Sequence, residues 1–247
     1  MGNLYNGSRN KQEVSAMPIQ YDKKAVLEMC ADAMKNPALF YAQNLVNYQG
    51  ICPDAQVPYT EIMAEFLIDH LPEFTDGITQ IHRTASYCTP THMGEFDPSS
   101  NRTEELTAMK MFNACKSGAQ YAKVGKILDY QVPLKNKRSD QAGKIDLLAY
   151  DGNVLRVLEL KKPDTQETML RCVLEGYTYL RTADTRKLIA DFDIPAGTPV
   201  KASPFVFENS LPYQEYFAER PKLKQLMGLL DSQPFFIREV SGGYEVF

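Results

Sequence analysis

The stretch that decides the fold is Gly143-Lys144-Ile145-Asp146-Leu147-Leu148-Ala149-Tyr150, then Asp151-Gly152-Asn153, then Val154-Leu155-Arg156-Val157-Leu158-Glu159-Leu160-Lys161-Lys162-Pro163. Two apolar runs rich in strand-forming residues flank an Asp-Gly dipeptide, a strong short-range signal for a β-hairpin. A two-residue Asp151-Gly152 turn pairs Tyr150 with Asn153 and places Asp146 opposite Val157. Directly opposed residues share a face, as do residues two apart on one strand. Asp146, Val157, Glu159 and Lys161 are therefore expected on one face, with Asp146 and Glu159 as diagonal neighbours about 7–8 Å apart. A three-residue loop would reverse the parity and turn Glu159 away. Leu155 and Val157 share that face, which argues that water does not cover it completely.

Outward from the hairpin, apolar runs predict strands at 126–134 and 200–207. A helix over 103–117 carries Leu106, Met109 and Phe112 on one stripe. The amphipathic helix predicted over 165–182 buries Leu170, Val173, Leu174, Tyr177 and Leu180, with Asp164 and Glu167 spaced as a capping pair. A helix over 213–230 and two short strands follow. The order from Thr103 is thus α-β-β-β-α-β. The preceding segment, 1–102, reads as a mainly helical extension: a mobile lead-in over 1–20, a helix capped by Asp22, and helical stretches at 37–48 and 62–71. The Ser/Thr/Pro/Asn/Gly-rich stretch 87–102 connects it to residues 103–247.

Two carboxylates that converge across a hairpin can hold one divalent cation. Oxygen ligands select a hard ion, Mg²⁺ with Mn²⁺ as substitute. Lys161 sets an ammonium beside that ion, suited to orienting the attacking water or neutralising a pentacovalent phosphorus intermediate. A Glu–Lys pair on a solvated strand would give the same residue types.

Asp146 within G-K-I-D-L-L, Glu159-Leu160-Lys161 and the α-β-β-β-α-β order resemble the PD-(D/E)XK nuclease superfamily over about residues 103–207, with Ile145 in place of the proline that names the motif. The resemblance implies a restriction-endonuclease-like fold, an α+β chain arranged as an α/β/α sandwich. It also implies a Mg²⁺-dependent nuclease acting on nucleic acid, DNA rather than RNA. By that likeness Asp146, Glu159 and the backbone carbonyl of Leu160 bind the metal and Lys161 is catalytic. A further Glu comes from the helix before the first strand, Glu105 by preference, or Glu104. First-turn acids favoured by the helix dipole would also account for that pair.

Arg171, Glu175 and Tyr179 recur every four residues; turned toward the site, Arg171 and Tyr179 would touch phosphate, and on a solvated surface the Arg–Glu pair would be an ordinary intrahelical one. Lys135, Lys137 and Arg138 in the loop between the first two core strands offer backbone contacts to nucleic acid, though solubility alone would explain them.

Composition narrows the alternatives. With 27 Lys+Arg against 31 Asp+Glu, the formal charge of −4 excludes a protein that holds nucleic acid mainly by global electrostatics. No apolar run approaches the roughly 18–20 residues that span a bilayer, and residues 1–10 lack the order of a signal peptide. The five cysteines have no C-x-x-C spacing, so neither a zinc knuckle nor a disulfide framework is expected and the setting reads as cytoplasmic. His70, His82 and His92 have no metal spacing, and no glycine-rich phosphate loop occurs. A homodimer is the expected assembly if both strands of a duplex are cut. The competing readings are a catalytically silent nuclease-fold module that binds nucleic acid or protein, and an unrelated α+β interaction protein.

Overall fold

The computed structural model describes residues 20–89, 92, 102–137, 139–140 and 142–247; the expected lead-in over 1–19, Arg138 and most of the 87–102 connection lie outside them. The chain is a mixed α+β fold built on a six-stranded sheet in the order β1 (Lys126–Pro133), β2 (Lys144–Tyr150), β3 (Leu155–Lys161), β4 (Val200–Phe207), β5 (Phe235–Val240) and β6 (Gly243–Val246). Neighbours β1–β2, β2–β3 and β5–β6 are antiparallel, whereas β3–β4 and β4–β5 are parallel. The parallel β3–β4 pair requires a crossover, supplied by α5 (Met169–Thr182) and α6 (Thr185–Asp191).

Each face of the sheet buries its own apolar set. Leu147, Ala149, Leu158, Leu160 and Phe205 pack with Ala108, Met111 and Cys115 of α4 (Thr103–Lys116). On the opposite face, Leu148, Leu155 and Val157 meet Tyr179 of α5 and Leu188 and Ile189 of α6. The strands β2 and β3 are thus apolar on both faces, which is why they read as nearly continuous hydrophobic runs.

Beyond α5, a second layer closes over it. α1 (Lys23–Ala33), α2 (Tyr59–Asp69), α3 (Leu71–Asp76) and α8 (Pro221–Leu229) share one core with Met169, Leu170, Val173 and Leu174 of α5. Asp22 caps α1 as expected, its Oδ1 accepting the Ala25 N–H at 2.8 Å. The buried Glu61 carboxylate accepts the N–H groups of Lys222 and Leu223, donors at the start of α8 that have no partner within the helix.

Several expectations shift. The helical stretch expected over 37–48 is two short 3₁₀ helices, Pro37–Ala42 and Asn44–Asn47, rather than a continuous one. The helix expected over 213–230 divides into α7 (Leu211–Phe217) and α8, because Pro221 cannot continue a helix but suits a first position. α5 starts at Met169, not 165: Thr168 is its cap, with Oγ1 accepting the Arg171 N–H at 3.2 Å, so the Asp164/Glu167 capping pair does not form.

Candidate metal and phosphate site

The hairpin differs from the expected one in a single respect. Asp151 Oδ1 accepts the N–H groups of both Asn153 and Val154 at 2.8 Å, and this local side-chain turn with Gly152 at φ 98° opens the loop to four residues. The observed pairs are Tyr150↔Leu155, Leu148↔Val157 and Leu147↔Leu158. The register therefore moves by two residues, which preserves parity. Asp146 falls one step beyond the last pair, across from Glu159 rather than from Val157. There the strands part, and the Asp146 side chain fills the gap by accepting the Leu160 N–H on Oδ2 at 3.0 Å. Its other oxygen accepts Gln131 Nε2–H at 2.9 Å.

Glu159 and Lys161 point from β3 toward α5, where both are buried. Lys161 Nζ lies 2.7 Å from Glu159 Oε1, 2.7 Å from Glu167 Oε2 and 2.9 Å from Glu175 Oε2. Arg171 Nε adds a second cation 2.9 Å from Glu167 Oε1. Tyr179 O–H donates to Glu175 Oε1 at 2.9 Å. The four-residue spacing of Glu167, Arg171, Glu175 and Tyr179 sets all four along one line of the crossover segment. Because α5 begins only at Met169, Glu167 stands in the preceding loop, free to reach inward. Two glycines permit the close fit: a Cβ on Gly143 would collide with the Tyr179 ring, and one on Gly176 would stand 3.4 Å from Glu159 Cβ.

The charges are strongly perturbed. Burial, partly offset by Lys161 and then reinforced by Glu175 and Glu104, raises Asp146 to about 7. Burial and the neighbouring charges of Asp146 and Glu175 push Glu159 well above the ordinary carboxylate range. Burial would lower Lys161, but Glu159 and Glu175 outweigh it and hold the ammonium charged. Glu175 is lowered: burial acts against it, and Lys161, Arg171 and a hydrogen bond with Glu159 prevail. Glu159 Oε2 is buried and faces no N–H or O–H donor; an oxygen so placed takes either a proton or a cation.

On the α4 side, Asp146 lines a cleft of about 500 Å³ together with Arg102, Thr103, Glu104, Glu105, Gln131 and Lys162. Of the two first-turn acids, Glu104 is the one turned to the site. Its Oε1 accepts the Lys162 N–H at 3.1 Å and its charge bears on Asp146, whereas Glu105 pairs with Arg102 at 3.1 Å. The preference for Glu105 is set against this geometry, although both acids line the cleft. It assumed a stripe through Leu106, Met109 and Phe112, but the fully buried line of α4 runs through Ala108, Met111 and Cys115, and Glu104 lies one turn before Ala108 on it.

The remaining expectations fall as follows. Lys135 and Lys137 are exposed in the β1–β2 loop, which adjoins the end of β2 that bears Asp146. Arg171 and Tyr179 face the buried carboxylates; Arg171 also donates to the Tyr41 carbonyl at 3.1 Å. Of the histidines, His92 has its Nδ1 2.8 Å from Asp129 Oδ1 and stacks on Tyr130. All five cysteines are free thiols, and no helix among the described residues is long and apolar enough to cross a membrane.

The donor set is chemically suited to a hard divalent ion: carboxylates of Asp146, Glu159 and Glu104 and the Leu160 carbonyl are all oxygens. Among the described residues, however, no three acidic, histidine or cysteine side chains are grouped as a ready cage; the ammonium of Lys161 sits among the acids instead. No family model, curated protein or solved structure matches the chain.

Proposed function

We propose that the chain is a metal-dependent nuclease that hydrolyses phosphodiester bonds of nucleic acid, DNA rather than RNA, on the restriction-endonuclease-like αβββαβ plan of the PD-(D/E)XK superfamily. The observation that carries the reading is the meeting of Asp146, Glu159 and Lys161 at one end of β2 and β3, beside a cleft open to solvent. Asp146, Glu159 and the Leu160 carbonyl would hold Mg²⁺ (or Mn²⁺), with Glu104 as the additional acid. When bound, the ion supplies Lewis-acid stabilisation of the phosphate and a more acidic water. The buried orphan oxygen of Glu159 and the upward shifts of both acids favour that assignment, because they describe negative charge short of counter-charge.

Lys161 is surrounded by three carboxylates and stays protonated. Its role in this reading is therefore that of a fixed cation that neutralises charge developing on phosphorus, not of a base that removes a proton from water. Lys162, the residue just after β3, turns to the cleft and would meet the substrate phosphates, and Lys135 and Lys137 would touch the backbone farther along. Five free thiols accord with a cytoplasmic setting, and cleavage of both strands would call for a homodimer.

The test is incubation of the full chain with single- and double-stranded DNA, with and without Mg²⁺ or Mn²⁺, beside Asp146→Ala and Lys161→Ala. Metal-dependent cleavage by the wild type, lost in both variants, is the expected result. Binding without cleavage would replace this reading with that of a silent nuclease-fold module, and no interaction would leave an unrelated α+β protein.

A further inference from the structure

Gln131 has φ 49° in the middle of β1. That left-handed region is sterically unfavourable for a residue with a Cβ. The other five non-glycine residues with positive φ (Gln56, Lys123, Asp193, Asn209 and Asp231) lie in turns or loops. Only Gln131, among the described residues, combines it with a strand.

The consequence is visible in the packing. Flanking pairs are Tyr130↔Leu147 and Val132↔Ile145, so Gln131 faces Asp146 across the β1–β2 ladder. Residues two apart on a regular strand share a face. Here Tyr130 and Leu147 pack under α4, while Val132 and Ile145 pack on the α5–α6 side. The strand pair rolls over at Gln131 and Asp146. That roll places Asp146 between the buried charges and the open cleft, and aims the Gln131 amide at Asp146 Oδ1 at 2.9 Å while the Leu160 N–H holds Oδ2.

We infer that Gln131 is a positioning residue, kept in a strained backbone so that its side-chain amide fixes the Asp146 carboxylate at the mouth of the cleft. The purpose of that fixing rests on the nuclease reading above; the fixing itself does not. Strain retained at one strand position, with the neighbouring carboxylate held from two sides, is the pattern expected of a site whose geometry is set by the surrounding fold.

The test uses Gln131→Gly, Gln131→Ala and Gln131→Met in the full chain. Thermal unfolding should rank Gly above Ala by about 2 °C or more, since glycine relieves the backbone while both lose the amide. In an ordinary strand interior the order is the reverse, and that order would overturn the inference. Gln131→Met keeps the length and the strain and removes the amide. Combined with Asp146→Ala in a double-mutant cycle, its melting shift should fail to add by about 3 °C or more; additive shifts would overturn it. In DNA cleavage, Gln131→Met should lower kcat about tenfold with KM within twofold, and unchanged kcat would overturn it. A wild type that cleaves nothing would remove the nuclease reading, while the melting order and the cycle would still decide the positioning role.

Discussion

Lys161 ends β3 and Lys162 follows it, and the two sides of the sheet treat them differently. Lys161 turns under α5, is almost wholly buried and meets three carboxylates within 2.9 Å. Lys162 turns toward α4 and the cleft, where its ammonium pairs at 3.4 Å with the exposed Asp164. A single step along the chain separates them, yet the physical consequences diverge. The α5 side binds its charges to one another in a low-dielectric interior, where removing one partner is costly. The α4 side leaves its polar groups to solvent, where they are cheap to change and free to meet a ligand. Asp146 joins the two, half-buried beside the first set and lining the second.

The largest effect that would sharpen this contrast is expected at Lys161. Lys161→Ala leaves Glu159, Glu167 and Glu175 without their shared cation and should cost about 3–5 kcal/mol of stability, read as a fall in Tm or in the denaturant midpoint. A loss below about 1 kcal/mol would mean that the α5 side is not a closed network.

Arg171→Ala should follow, at about 2 kcal/mol, because it removes the second cation from Glu167 together with the bond to the Tyr41 carbonyl. An unchanged Tm together with weakened DNA binding would put Arg171 on the substrate side instead.

Asp146 gives a pH signature. Folding raises it from 3.8 to about 7, chiefly through burial. The folded chain then holds its proton longer than the unfolded one, so stability falls as pH rises from about 4 to about 7 and this contribution is flat above. Asp146→Asn should remove that portion of the decline in a Tm–pH series and melt above the wild type at pH 8. Parallel curves for the two proteins would contradict it.

Lys162→Ala is the smallest expected change in stability, within about 0.5 kcal/mol, and should appear instead as a several-fold rise in KM for DNA. A destabilisation equal to that of Lys161→Ala would erase the difference between the two sides.

Much of this arrangement was legible in the residues. Apolar alternation and the Asp-Gly dipeptide locate β2 and β3 within a residue, and β4 is found where its apolar run predicts it. The common face of Glu159 and Lys161 follows from parity, which survives the wrong turn length because the register moves by two; Asp146, where the strands part, stands between that face and the α4-side cleft instead. What escaped depends on side chains bonding to backbone or on packing at a distance. Asp151 opens the loop by capturing two N–H groups, and Thr168 displaces the Asp164/Glu167 cap. Small residues, Ala108 and Cys115, define the α4 stripe that large apolar ones suggested elsewhere. Glu167 read as a cap partner of Asp164 and Glu175 as one half of an Arg–Glu pair whose facing was open, since no local pattern reveals that α1, α2 and α8 cover α5 from outside. Gln131 carries no sequence signal of its left-handed backbone, because glutamine is not a residue that favours it.

The central claim is that Asp146 and Glu159 together take up a divalent cation. Calorimetric titration of Mn²⁺ into the wild type and Asp146→Ala tests it most directly. The account predicts saturable binding in the wild type, weakened at least about tenfold in the variant; identical titrations, or no binding to either, would contradict it.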